Sequence, residues 1–368
     1  MSRPVVVFSA AGYANLGDDA MYAAIVELIR RARPGAPIVH VVGPEQRWVD
    51  PEGVARLPYR SRGLGLLRTL PLLRRAEALV LVGGSVLHDY FPYAARRWLR
   101  MGWLGRCLGV RTIFIGCEVY EPLTAAFARS LRRYCQGAIR FLPRSERSAD
   151  LLQRHGARHV AAVSDPVFTL AGAVHERLAV GRPRDVIGIN LRPVTPLQRQ
   201  TGLTTDDLCG RVASALAHWR REERRPRFRF YSFAATGEES DAICCELLQR
   251  RLPPDIPIER APLHESVQAQ LADLADVRLM IGMRFHSLVF GVLAGAACLA
   301  LAYDPKIDAL FRRLAPAQIV GCDFDPKALL QRLDAIDADA DAIVRRQDER
   351  AREFARQTEA AFRQALEP

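Results

Sequence analysis

Short apolar runs alternate with longer amphipathic stretches along the whole chain. Val5–Phe8, Ile38–Val42, Leu79–Val82, Thr112–Gly116 and Ala138–Leu142 are four or five residues long and almost continuously apolar. Such runs predict strands buried on both faces. Between them, Asp18–Arg33, Thr124–Cys135 and Ser145–His155 space their apolar residues at helical intervals, with Pro34-Gly35 and Gly156 as stops. After the polar stretch His175–Asp185 the cycle starts again. Val186–Asn190, Phe228–Phe233, Val277–Ile281 and Cys298–Tyr303 predict strands, and Thr205–Arg220, Glu238–Arg251 and Ser287–Ala297 predict helices. A charged tail with helical periodicity, Ala338–Glu367, closes the chain.

Strands that alternate with helices predict parallel sheets with helices on both faces. The expected fold class is α/β, with two Rossmann-like domains facing across a cleft. The expected boundaries are 1–180, 181–335 and a C-terminal helix at 336–368 that packs back on the first domain. Ligands of open parallel sheets bind beyond the carboxyl ends of the strands, so the residues just after each predicted strand are the candidates for chemistry.

Residues 280–306 carry the strongest signal. Met283-Arg284-Phe285-His286 follows one strand and Tyr303-Asp304-Pro305-Lys306 follows the next. Two cations and an imidazole at adjacent strand ends suit a small phosphorylated anion and a proton transfer. Asp-Pro is also a good helix start, and the chain repeats Asp-Pro-Lys at 325–327 without evident chemistry. Lys306 and Lys327 are nevertheless the only lysines among 52 basic residues, which favours Lys306 as a place needing a compact ammonium.

In the first half, the loop Ser9–Asp19 lacks the GxGxxG of dinucleotide binders. Asp18 and Asp19 would repel phosphate there and suit the helix dipole; Asp18 could instead hydrogen-bond a sugar hydroxyl or take its proton as a catalytic base. Gly83-Gly84-Ser85 follows a strand, where glycines allow backbone N–H groups to approach a ligand or form a simple tight turn. Arg144 sits just outside a helix opened by Ser145 and Ser148. It could present its fork to an anion or pair with Glu146 or Asp150.

The formal charge is +11 and the pI about 9.6, which favours anionic partners. The basic residues are scattered and no nucleic-acid motif is present, so no nucleic-acid partner is expected. The eight cysteines form no CxxC pair; reduced core cysteines of a cytoplasmic protein and no metal site are expected. No run is long enough to span a membrane. Leu64–Leu73, rich in Leu and Arg, predicts a solvated amphipathic helix, with contact to a membrane surface as the alternative.

Four stretches together resemble the polysaccharide pyruvyl transferase family: Gly12–Asp19 with its helix, Gly83–Asp89, Arg144–Ser148 with Asp165-Pro166-Val167-Phe168, and Met283–His286 through Tyr303–Lys306. Two departures are Ser85, where a third glycine is expected, and Ser145, which separates Arg144 from an acidic residue. The resemblance implies a GT-B-like fold, phosphoenolpyruvate as donor substrate with no cofactor, and a saccharide or lipid-linked saccharide acceptor that becomes a pyruvyl ketal. It implies a role in polysaccharide or glycoconjugate biosynthesis; the expected location is the cytoplasm, with the inner face of the membrane as the alternative. The first domain would hold the acceptor and the second the donor. By matching positions, His286 would be the general acid, and Arg284, Arg144 and Lys306 the donor-anion ligands. Asn15, Gly17 and Asp18 would lie where the acceptor sits. The alternative functions are a GT-B glycosyltransferase using a nucleotide sugar, and a non-catalytic binder of anionic glycans.

Overall fold

The computed structural model describes residues 2–43, 46, 50–58, 69–88, 92–171, 184–194, 202–219, 226–235, 240–264 and 266–367. Asp89, residues 64–68 of the Leu/Arg-rich segment, and the boundary expected near residue 180 lie outside them. The chain divides into two compact units. The first comprises residues 2–13, 18–169 and 354–367, and the second residues 14–17 and 170–353. The division at Thr169/Leu170 falls earlier than the expected boundary. The C-terminal helix is split between the units at Glu353/Phe354, and Ala14–Gly17 groups with the second unit although its flanks belong to the first.

The first unit holds a seven-stranded parallel sheet in the order β3-β2-β1-β4-β5-β6-β7. Its strands are β1 Val5–Ser9, β2 Ile38–Val42, β3 Val54–Pro58, β4 Ala78–Val82, β5 Arg111–Ile115, β6 Arg140–Leu142 and β7 His159–Val160. Every residue of β1 and β4 is buried, which is why the central strands read as unbroken apolar runs. Its helices are α1 Leu16–Ala32, α2 Leu70–Arg75, α3 Pro92–Cys107, α4 Ala125–Tyr134 and α5 Glu146–Arg154. α1 begins with Asp18 and Asp19 in its first turn and ends with Arg30 and Arg31, both favourable to its dipole. Thr124 and Ser145 cap α4 and α5 through their hydroxyls. Phe114 stacks on Phe141 at 4.9 Å, and Phe8 meets Trp98 edge-on at 4.9 Å.

The second unit has a six-stranded parallel sheet in the order β10-β9-β8-β11-β12-β13. The strands are β8 Val186–Asn190, β9 Arg227–Phe230, β10 Ile258–Arg260, β11 Val277–Gly282, β12 Ala297–Ala302 and β13 Ile319–Gly321. The helices are α6 Thr205–Trp219, α7 Ala242–Arg251, α8 Val267–Asp273, α9 Phe285–Leu293, α10 Pro305–Leu314, α11 Pro326–Ala338 and α12 Ala340–Leu366. The last turns of α12, from Phe354, belong to the first unit. There Phe354 packs on Phe168 at 5.5 Å and Thr358 accepts from the Ser164 amide.

Both sheets reverse direction of growth at their first strand: β1 is flanked by β2 and β4, and β8 by β9 and β11. These reversals are the topological switch points at which doubly wound sheets bind ligands. The structure adds elements that hydrophobic patterning did not reveal. β3, β7, β10 and β13 are edge or near-edge strands of two to five residues with exposed positions. α3 looks interrupted in the sequence because it contains Gly102 and Gly105. A Cβ on either would come within 2.5 Å of Phe114 or Thr112 in β5, so those glycines let the helix lie close on the sheet.

Candidate functional site

At the switch point of the second unit, β8 ends in Asn190 and β11 leads into Arg284, and the two are directly tied. The Arg284 amide donates to Asn190 Oδ1 at 2.9 Å and the Met283 amide to the Asn190 carbonyl at 2.9 Å. Arg284 is the extended N-cap residue of α9. Its Nε donates to Asp241 Oδ1 at 2.7 Å. Asp241 is fully buried, and its other oxygen accepts from Asn190 Nδ2 at 3.1 Å and from the Phe233 amide at 2.9 Å. With the Ala234 amide at 3.3 Å as the fourth donor, the carboxylate fixes the guanidinium it faces. Arg284 therefore sits at the carboxyl end of β11 with only 13% of its side chain exposed.

His286 lies in the first turn of α9, half-buried. Its imidazole rests on the backbone of Gly17. A Cβ placed on Gly17 would stand 2.0 Å from His286 Nδ1, 2.5 Å from Cγ and 2.7 Å from Cε1. No side chain larger than hydrogen fits between the ring and that backbone. The loop that delivers Gly17 is held to the second unit by a bridge between Asn15 and Ala234 and by the Leu16 amide donating to the Phe233 carbonyl at 3.3 Å. Asn15 Oδ1 accepts from the Gly17 amide at 3.1 Å. Two residues expected to touch an acceptor thus shape the bed of the imidazole. Asp18, the next residue, is half-buried in the first turn of α1 and groups with the first unit.

At the end of β12, Asp304 caps α10 by accepting from the Lys306 amide at 2.9 Å, and Lys306 Nζ reaches Asp304 Oδ2 at 3.3 Å. The same cap recurs at Asp325 and Lys327. Lys327 is exposed, whereas only 12% of the Lys306 side chain is. Lys306 Nζ lies 5.9 Å from the centre of the Tyr303 ring. The sequence reading missed Arg192, two residues beyond β8. It is buried, donates to the Tyr303 hydroxyl at 2.8 Å and lies over that ring at 4.7 Å. The carboxyl ends of β8, β11 and β12 therefore carry Arg192, Arg284, His286 and Lys306 on neighbouring strands. Asp241 faces Arg284 and Asp304 faces Lys306 at this rim.

In the first unit, Gly84 lies against Arg144: a Cβ there would be 3.0 Å from Arg144 Nη1. Gly83 is equally confined, by Val86 and Trp98. The expectation that Arg144 presents its fork to an anion meets a different arrangement. The guanidinium is buried between two carboxylates, with Nε 3.0 Å from Glu118 Oε2 and Nη1 3.1 Å from Asp165 Oδ2. Neither is the predicted pairing partner, Glu146 or Asp150. Burial alone would lower the Arg144 pKa, and the charges of Glu118 and Asp165 outweigh it and hold the group above its usual value. Glu118 Oε1 also accepts from Ser145 and Ser148 at 2.5 and 2.8 Å. Arg144 Nη2 is 3.5 Å from the Ser85 hydroxyl, which itself meets Tyr120 at 3.0 Å. This network ties the ends of β4, β5 and β6 together, and it makes Arg144 a brace for the Gly83–Ser85 turn.

The β1–α1 loop has its own supports. Ser9 Oγ is 2.8 Å from His40 Nε2, and His40 Nδ1 is 2.6 Å from Asp50 Oδ1, which also accepts from Tyr22 at 2.6 Å. Burial would raise the Asp50 pKa, but the His40 and Tyr22 hydrogen bonds and the Arg56 charge outweigh it and lower it. The Ser9 hydroxyl is committed to His40 and to the Ala11 amide at 3.2 Å. These groups brace the loop. Asp19, unlike its neighbour Asp18, is nearly buried and accepts from the Gly12 amide at 2.7 Å. Burial pushes its pKa up to about 7; the Gly12 hydrogen bond opposes the rise and the Asp18 charge adds to it. Gly12 has a φ of 91°, which a side chain would strain.

Among the described residues there is no cluster of His, Cys, Asp or Glu able to hold a metal ion, and no helix long and apolar enough to cross a membrane. The eight cysteines are free, and all but Cys107 are buried.

No curated protein is significantly similar to the chain in sequence. Solved structures share its fold across nearly the whole length. A UDP-GlcNAc 2-epimerase from Neisseria meningitidis bound to UDP-GlcNAc superposes with a TM-score of 0.62 at 10% identity, covering 98% of this chain and 99% of that one. A trehalose-6-phosphate synthase gives 0.63 at 11% identity with 99% of both chains covered. A glycosyltransferase from Rickettsia africae ESF-5 gives 0.57 at 10% identity, covering 99% and 96%. These likenesses establish a GT-B-like fold of two parallel-sheet α/β domains. The family model for polysaccharide pyruvyl transferase matches residues 15–305, from the loop that seats the imidazole to the cap of α10. The chain belongs to the polysaccharide pyruvyl transferase family.

Proposed function

We propose that the protein transfers the enolpyruvyl group of phosphoenolpyruvate to two hydroxyls of a saccharide, forming a cyclic pyruvyl ketal and releasing phosphate. The observation that carries this reading is the rim of the second unit. An imidazole seated on a glycine backbone shares adjacent strand ends with Arg284, Lys306 and Arg192.

Phosphoenolpyruvate presents a phosphate and a carboxylate, which match a cluster of buried or half-buried cations. Arg284, held by Asp241, and Lys306, held by Asp304, would neutralise the donor without having to be ordered on binding. His286 as imidazolium gives its proton to the methylene carbon, which becomes a methyl group. Positive character develops at the central carbon, and a sugar hydroxyl adds there and loses its proton. The phosphate departs with its bonding electron pair, and the second hydroxyl closes the ring. A histidine suits the first step because its ordinary pKa lies close to working pH. Asp18 and Asn15 remain the residues nearest in sequence to the imidazole's seat, and they are assigned to the acceptor side. Arg144, held by Glu118 and Asp165, braces the first-unit turn.

The test is phosphate release from phosphoenolpyruvate across a panel of free, nucleotide-linked and lipid-linked saccharides, run in deuterium oxide. One deuterium in the product methyl group is expected. Turnover of UDP- or GDP-sugars with no action on phosphoenolpyruvate would instead make the protein a glycosyltransferase.

A further inference from the structure

On the outer face of the first unit, α3 and α4 pack against one another and leave an open groove of about 610 Å³. Arg96 of α3 and Arg129, Arg132 and Arg133 of α4 line it, with Tyr134 at its end. Among the described residues no carboxylate lies within ion-pairing distance of these four arginines or of Arg100, one turn along α3 from Arg96. Other exposed arginines, such as Arg312, Arg346 and Arg350, do pair with an acid. Arg133 lies over the Tyr134 ring at 5.7 Å, and Tyr134 meets Trp103 edge-on at 6.2 Å. Trp103 is 39% exposed, one of few large apolar side chains so placed among the described residues. Burial and the charges of Arg132 and Arg154 hold His155 below its usual pKa, against the opposing charge of Glu121.

Like charges gathered without counter-charges destabilise the fold that carries them. An outside anion would relieve that repulsion. The groove is open and the arginines are spread over two helices, which suits an extended array of phosphates more than one enclosed ion. An exposed indole within the same patch suits the headgroup level of a bilayer, where an apolar body and a polar edge are both satisfied. We infer that the α3–α4 face, through Arg96, Arg129, Arg132, Arg133 and Trp103, docks the protein on an anionic phospholipid surface. This surface is distinct from the rim of the second unit, and the inference does not depend on which reaction occurs there.

The full chain is sedimented with vesicles of phosphatidylcholine alone, and with vesicles containing about 30% phosphatidylglycerol. Binding is expected only to the anionic vesicles and should weaken with salt. The triple variant R129E/R132E/R133E should bind at least about tenfold more weakly. The control R312E/R346E/R350E carries the same change in net charge and should bind like the parent. Quenching of tryptophan emission by brominated anionic lipid should disappear in Trp103→Phe. Phosphate release with soluble substrates should be unchanged in the first triple variant, which also shows that it folds. Equal loss in both triple variants, equal binding to both vesicle types, or displacement of the vesicles by a single-stranded oligonucleotide would each overturn the proposal.

Discussion

Replacing Gly17 by alanine tests whether the imidazole's seat is part of the catalytic machinery. The added methyl would start 2.0 Å from His286 Nδ1, and an ordinary contact begins near 3.4 Å. The ring edge must therefore retreat by about 1.4 Å, or the Asn15–Gly17 loop must lift by a similar amount. Overpacking of this kind costs about 1–3 kcal/mol. A misplacement of about 1 Å in a reacting group costs roughly 10²-fold in rate. Gly17→Ala should thus lose on the order of 10²-fold in kcat while keeping its affinity for phosphoenolpyruvate, because Arg284 and Lys306 are untouched. Phosphate release reads the rate, and chemical denaturation reads the stability. In a His286→Ala background the methyl meets no ring, so the stability cost should largely vanish, giving a coupling of about 1–3 kcal/mol. Undiminished turnover in Gly17→Ala, or the same stability loss in both backgrounds, would refute the reasoning.

Three further outcomes are expected. Asp241→Asn removes the charge that steadies Arg284 Nε, so KM for the donor should rise by about tenfold with kcat changed by less than about twofold; a loss confined to kcat would contradict the positioning role. Asp19 has a folded pKa near 7 against an ordinary value of 3.8. Its protonated form is favoured by folding, so its contribution is complete below about pH 4 and is lost as pH rises through about 7, on the order of 4 kcal/mol. Asp19→Asn should therefore flatten the fall in stability between about pH 4 and about pH 7, followed by thermal unfolding, and a parallel pair of curves would be evidence against it. Glu118→Ala leaves Arg144 buried with one carboxylate fewer and two serine hydroxyls without their acceptor. It should cost about 3–5 kcal/mol in denaturant unfolding, and a loss under about 1 kcal/mol would show that the brace is not structural.

The central strands were legible in the sequence because burial on both faces removes the polar residues that would blur them, as in β1, β4 and β11. The edge strands were not, since β3 exposes most of its five residues and ends in a proline. At the second-unit rim, Arg284, His286 and Lys306 could be placed because each directly follows a readable strand or its turn. Arg192 follows β8 just as closely, but it was hidden among fifty arginines that mostly serve the surface. Asp241 gave no signal at all: its importance comes from four donors brought to it from the end of β8, the segment after β9 and the N-cap of α9. The role of Gly17 was legible only in part. Its place in a tight loop followed from the sequence, whereas its contact with a ring 269 positions later is a property of the tertiary fold. Arg144 shows the converse. Its strand-end position was read correctly, but the acids that enclose it come from β5's following loop and from Asp165, at distances no local pattern encodes.

Calorimetric titration of phosphoenolpyruvate into the protein tests the assignment of the second-unit rim most directly. Binding is expected in the parent and in His286→Ala, and it should be weakened by at least about tenfold in Arg284→Ala and in Lys306→Ala, since each removes a charge-assisted contact to the donor. Undiminished binding in both cation variants, or heat only with UDP- and GDP-sugars, would contradict a donor site at that rim.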